Sequence, residues 1–196
     1  MTRTLSVVFL VIIALGAVTG LLGIALAPES SASANVTWVK APEQAKATTP
    51  PEFILPELEP FVLPEGENLA KGKSVEYSDY TDVYPGKQAV DGRDRTYWEA
   101  VTLPSFITID LEAETTVSKV VLQVPPQRNW GKRTQAISIS ADGKVIVPEA
   151  EYVFDAQIGN AVLIEFPPVT AQFIRVDIAS NTGAKGAQLS EIYIFE

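Results

Sequence analysis

"AQFIRVDIA", residues 171–179, decides the fold class. Ile174, Val176 and Ile178 alternate with Arg175 and Asp177, the period of two that a half-buried strand shows and a helix does not. Working outward, runs of the same kind recur: "SFITIDL" from Ser105, "TVSKVVLQV" from Thr116, "TQAISIS" from Thr134, "NAVLIEF" from Asn160 and "QLSEIYIF" from Gln188. They are rich in β-branched and aromatic residues, and turn residues break them about every eight to twelve positions. "ADGK" at 141–144 and "FPPVT" at 166–170 read as turns. No convincing helix interrupts the runs. The pattern predicts an all-β antiparallel sandwich from Glu67 to Glu196, long enough to bury a proper core.

Upstream the composition changes twice. Leu5 to Ala27 carries no charge, and at about 1.5 Å per residue it measures roughly 33 Å, enough for a hydrocarbon layer of about 30 Å. It reads as a transmembrane anchor over 1–27 or as a signal peptide. Arg3 before it keeps the amino end inside and sends the rest out. The run is longer than a usual signal core, and Pro28 spoils cleavage after Ala27; Ala32-Ser33-Ala34 offers a later site. Retention is the expected outcome, with the domain periplasmic or extracellular. Gly16, Gly20 and Gly23 form a small-residue stripe that would let another helix approach, although glycine is also simply common in membrane helices.

Residues 28–66 hold seven of the 14 prolines, so this arm cannot be helical for long. Extended, its 39 residues would reach about 120 Å. In "PPEFILPELEPFVLPEG" seven large apolar side chains recur between prolines and glutamates, as in a strip that lies on a partner or on its own domain.

Composition excludes several functions. There is no cysteine and no histidine, hence no disulfide, no thiolate or imidazole metal site and no Ser-His or Cys-His nucleophile. The net charge is −9, which argues against nucleic acid and anionic lipid as partners.

Six segments in order, "NLAKGKSV" at Asn68, "AVDGRDRTYWE" at Ala89, "FITIDL" at Phe106, "RTQAISISADG" at Arg133, "FIRVDI" at Phe173 and "LSEIYIF" at Leu189, resemble the discoidin domain, also called the coagulation-factor C domain. Carbohydrate-binding modules of the galactose-binding-like fold share it. The resemblance implies an eight-stranded jelly roll with ligand contacts on loops at one end. It also implies a structural calcium ion on the "DGRDRT" loop, the matching donors being Asp91, Asp94, Thr96 and Glu191, all oxygens suited to a hard cation. The other reading is an ordinary Asp91-Gly92 turn, with Asp94 paired to Arg93 or Arg95 or capping backbone amides. Trp98 reads as core.

Sugar recognition needs an exposed aromatic face and planar polar groups. "YSDYTDVY" offers Tyr80 and Tyr84, and "QRNWGKR" offers Arg128, Asn129, Trp130 and Arg133. Trp130, flanked by Asn129 and Gly131, is the expected exposed aromatic, with a sandwich-edge plug or a protein anchor as competing roles. Asp79, Asp82, Asp91 and Glu99 are the raw material for a glycosidase pair, but a sandwich of this size offers little cleft. The resulting expectation is a non-catalytic, membrane-anchored binding or scaffold module, an accessory subunit of a larger membrane protein complex. The alternative is a secreted or cell-surface carbohydrate-binding module whose partner is a glycan.

Overall fold

The computed structural model describes Leu58 and residues 60–196. The expected span, its Gly16, Gly20 and Gly23 stripe and most of the arm lie outside the described residues. Among those described, no helix is long and apolar enough to cross a membrane.

Eight strands follow one another: β1 (Ser74–Tyr77), β2 (Trp98–Glu99), β3 (Ser105–Gln123), β4 (Arg133–Ala141), β5 (Lys144–Phe154), β6 (Ala161–Asn181), β7 (Gln188–Leu189) and β8 (Glu191–Phe195). The main sheet has the order β1-β3-β6-β4-β5, β8 also pairs with β3, and β2 pairs with β7. Every pairing is antiparallel. This is the antiparallel jelly-roll sandwich that the alternation predicts.

The two long strands do most of the organising. β3 pairs with β1 and β6 through its first half, loses register between Asp110 and Thr115, and pairs with β6 and β8 through its second half. At the break Glu112 has φ 71°, and the Asp110 carboxylate accepts the Glu112 amide at 2.7 Å, which supports that turn. So "SFITIDL" and "TVSKVVLQV" are one bent strand rather than two. "FPPVT" likewise lies inside β6 and not in a turn, where the pairing jumps from Val117↔Val169 to Lys119↔Glu165. Prolines 167 and 168 cannot donate to a ladder and are accommodated by that irregularity. "ADGK" is a turn as read, with Asp142 at φ 44° and Gly143 at φ 80°, the signature of a tight hairpin.

The alternation of the opening stretch is realised in full. Ile174, Val176 and Ile178 are completely buried and meet Ile107, Ile109, Ile137 and Ile139 in one core, with Trp98 inside it as expected. The arm's last residues belong to the same body. Phe61, like Tyr193, packs on the small cluster of Val121, Ala161 and Phe195, and a side chain at Gly159 would come within 2.6 Å of the Phe61 amide nitrogen. Part of the apolar strip therefore lies on its own domain, while Val62 remains 85% exposed.

Candidate functional site

Three loops meet at one end of the sandwich. The stretch after β1 is tied to the segment after β2: the Asp79 carboxylate accepts from the Val101 amide, and the Thr81 amide donates to the Glu99 carbonyl, both at 2.9 Å. The β6–β7 loop is braced internally, with Asn181 bonding the Gly183 amide and the Gly186 carbonyl. Gly186 lies so close to β2 that a Cβ there would sit 1.7 Å from the Ala100 carbonyl oxygen. Between them lies a cavity of about 400 Å³ lined by Thr81, Glu99, Val101, Lys185 and Gln188. Its side chains supply a carboxylate acceptor, an ammonium donor, a hydroxyl and an amide, which suits a ligand with several hydroxyls.

Most of the expected ligand residues stand beside or beneath this cavity. Tyr80, next to Thr81, is 48% exposed and meets Tyr77 edge-on. Tyr84 stacks on Tyr97 at 4.3 Å, and Tyr97 meets Trp130 edge-on at 4.7 Å. Burial first, then Tyr84 and Glu99, push the Tyr97 phenol well above its ordinary pKa. Trp130 corrects an expectation: it is half-buried against the core and has the Arg133 guanidinium over its ring at 4.6 Å. Arg133 is itself buried, and it donates to the Gln188 side chain and the Gly131 carbonyl. Tyr84, Tyr97, Trp130 and Arg133 thus form a prop under Gln188. Arg128 and Asn129 are exposed on the neighbouring turn and do not line this cavity.

No motif marks Thr81, Lys185 or Gln188 as ligand groups, and Glu99 stands out in the sequence only as a candidate glycosidase acid. The glycine-punctuated "NTGAKGAQ" at 181–188 was the available signal, since two glycines round one lysine mark a tight loop that presents a charge.

The "DGRDRT" loop closes on the last strand. Glu191 is completely buried, and its Oε1 accepts from the Arg93 amide at 2.7 Å. Its Oε2 has no partner among the described residues. The Thr96 hydroxyl lies 3.0 and 2.9 Å from the two Asp91 oxygens and 3.0 Å from the Arg93 carbonyl. A hydroxyl has one proton to give, so three acceptors compete for it, and a buried carboxylate oxygen beside them has none. Burial, reinforced by Asp91, pushes the Glu191 carboxyl up to about 8. Surplus acceptor oxygen of this kind fits a hard cation. Asp94, the remaining expected donor, is exposed and lines a hollow with Phe61, Gln123 and Tyr193. Among the described residues no three acidic side chains come together as a metal cluster.

Comparison with known proteins agrees with this architecture. No curated protein matches the chain. Among solved structures, chitosan-binding module 2 from a chitosanase/glucanase of Paenibacillus sp. IK-5, in complex with chitotriose, is 25% identical with a TM-score of 0.50, covering 66% of this chain and all of that one. The CBM32 of AlyQ, in complex with 4,5-unsaturated mannuronic acid, is 24% identical with a TM-score of 0.52, covering 63% of this chain and 94% of that one. A Clostridium perfringens CBM32 module in complex with GalNAc-β-1,3-galactose is 19% identical with a TM-score of 0.52, covering 66% of this chain and all of that one. These likenesses show a shared carbohydrate-binding-module fold. The F5/8 type C domain family model matches residues 72–192, well over half of the chain, and this chain belongs to that family.

Proposed function

We propose that the domain is a non-catalytic glycan-binding module that takes its sugar in the cavity between the three loops. The observation that carries this reading is the cavity itself: about 400 Å³, at the loop end, with Glu99 and Lys185 on its wall and Thr81 and Gln188 between them. Glu99 would accept from one sugar hydroxyl and Lys185 donate to another, while Tyr80, next to Thr81 in the chain and exposed, would offer a ring for a C–H face. The aromatic prop under Gln188 fixes these groups before the ligand arrives, so little ordering is left to do on binding. Sugars in the complexes of structurally similar modules support the same reading, and they favour it over an accessory subunit of a membrane complex.

Calcium is a proposal of the same rank. Asp91, Thr96, Glu191 and the Arg93 carbonyl would hold the ion. When bound it would neutralise the Asp91 and Glu191 carboxylates and pin the loop to β8. The apolar run 5–27, as a retained anchor, would place the module outside the cytoplasmic membrane; the mass of the mature chain tests this, since cleavage after Ala34 removes the run.

Binding of the full-length chain in mild detergent to neutral, acidic and amino oligosaccharides tests the central reading. Lys185→Ala and Glu99→Gln should each weaken the best ligand at least about tenfold, the cost of one charge-assisted contact. Unchanged affinity in both variants would move the site elsewhere.

A further inference from the structure

The outer face of the main sheet carries a second arrangement that the loop cavity does not use. Because Ile107, Ile109, Ile174 and Val176 point into the core, the residues alternating with them point out. Strand register then sets them in rows. Ser74, Asp110 and Phe173 stand directly opposite one another across β1, β3 and β6, and Glu76, Thr108 and Arg175 form the next row. Directly opposed side chains on one face are close enough to act together.

Between these rows lies a cavity of about 240 Å³ lined by Ser74, Val75, Glu76, Thr108, Asp110 and Phe173. That is below the roughly 300 Å³ at which pockets for drug-sized ligands begin, so it suits one small ring. Phe173 is 43% exposed, and it and Tyr80 are the exposed aromatic side chains among the described residues. A phenyl ring has no polar group of its own to make exposure favourable.

The backbone of Phe173 is pinned to the β4–β5 turn. Its amide donates to the Asp142 carboxylate at 2.8 Å and its carbonyl accepts from the Asp142 amide at 2.9 Å. Beside it, Gln172 donates to Asp110 Oδ1 at 2.9 Å, and the Glu112 amide donates to the same oxygen at 2.7 Å. Asp110 Oδ2 takes no hydrogen bond within the described residues.

Charge narrows the occupant. Two carboxylates, Glu76 and Asp110, line the cavity, and no cation does. The nearest bases, Lys73 and Arg175, are paired with Glu112 and Asp177 but also act on Asp110 and Glu76 at longer range, so the cavity keeps part of its negative charge. A uronic acid would be repelled, whereas a sugar bearing an ammonium group would find a ring to stack on, two carboxylates for its charge and the Ser74 and Thr108 hydroxyls for its own.

We propose that this sheet face is a second sugar site, selective for a pyranose with a free amino group. The proposal rests on the glycan-binding reading of the domain and adds a separate location and ligand class. The test measures affinity of the full-length chain in mild detergent for a fully deacetylated β-1,4-glucosamine hexamer and for its N-acetylated counterpart. Phe173→Ala and Glu76→Gln, both surface changes, should each weaken the deacetylated hexamer roughly tenfold. Glu76→Gln should leave the acetylated hexamer unaffected. Wild-type affinity for the deacetylated hexamer in both Phe173→Ala and Glu76→Gln would overturn the sheet-face site, and so would a failure of wild type to bind it. In either case binding of another glycan that depends on Glu99 and Lys185 would leave the loop-cavity reading standing. If no glycan of any class binds, both fall.

Discussion

Glu191 is the residue whose chemistry has the most consequences. A carboxyl normally near 4.5 but pushed up to about 8 in the fold binds its proton more tightly folded than unfolded. Its contribution to stability is then fully present below about pH 4.5 and is lost as pH rises toward about 8. A cation held by Asp91, Thr96 and Glu191 removes that dependence by stabilising the ionised form. Thermal melts should show this directly: with chelator, Tm falls between about pH 5 and 8; with calcium, Tm at pH 7.5 rises by mass action. Glu191→Gln should flatten the first effect and abolish the second. Equal melting with calcium and with chelator would leave the "DGRDRT" loop a turn held by a shared proton. Gly186 is the other residue with a sharp prediction. Since its Cβ would lie 1.7 Å from the Ala100 carbonyl oxygen, Gly186→Ala must displace the β6–β7 loop. A loss of about 1 to 3 kcal/mol in denaturant melts, the usual cost of overpacking, should accompany weakened glycan binding.

Among the elements, strands were the most legible part of the sequence, because alternation reports directly on which side chain faces the core. "FIRVDI" and "FITIDL" even pair with each other in the sheet, Ile109↔Ile174 and Ile107↔Val176. Where the reading failed, a non-local partner overrode a local signal. Prolines 167 and 168 look like a turn in isolation, yet β3 pairs on both sides of them. Pro148 hides β5 from a reading by alternation; the proline is tolerated because β5 is an edge strand. Trp130 could not be placed from its polar neighbours, for its burial depends on Tyr97 and Arg133 closing round it. Glu99 and Lys185 are 86 residues apart in the chain, and only the β2–β7 pairing brings them to one cavity. The end of the proline-rich arm makes an element-scale prediction. Phe61→Ala should cost about 1 to 2 kcal/mol, less than a fully buried phenylalanine, and should raise proteolysis before residue 67. Stability unchanged within about 0.5 kcal/mol would mean that the contact of Phe61 with Val121 and Phe195 is incidental.

At the scale of the whole molecule, an F5/8 type C domain sits behind a proline-rich arm and an apolar amino-terminal run. Net charge −9 makes it a poor surface for nucleic acid and leaves sugar recognition to neutral hydrogen bonding, stacking and individual carboxylates. The proposed division of labour follows from geometry: a loop cavity carrying both a base and an acid, and a sheet face carrying acids and an exposed ring. The most direct test of the glycan-binding claim is a nuclear magnetic resonance titration of the full-length protein in detergent with neutral, acidic and amino oligosaccharides. The account predicts saturable shifts at Thr81, Glu99, Lys185 and Gln188 for at least one of them. No saturable shift at those four residues with any oligosaccharide would contradict it.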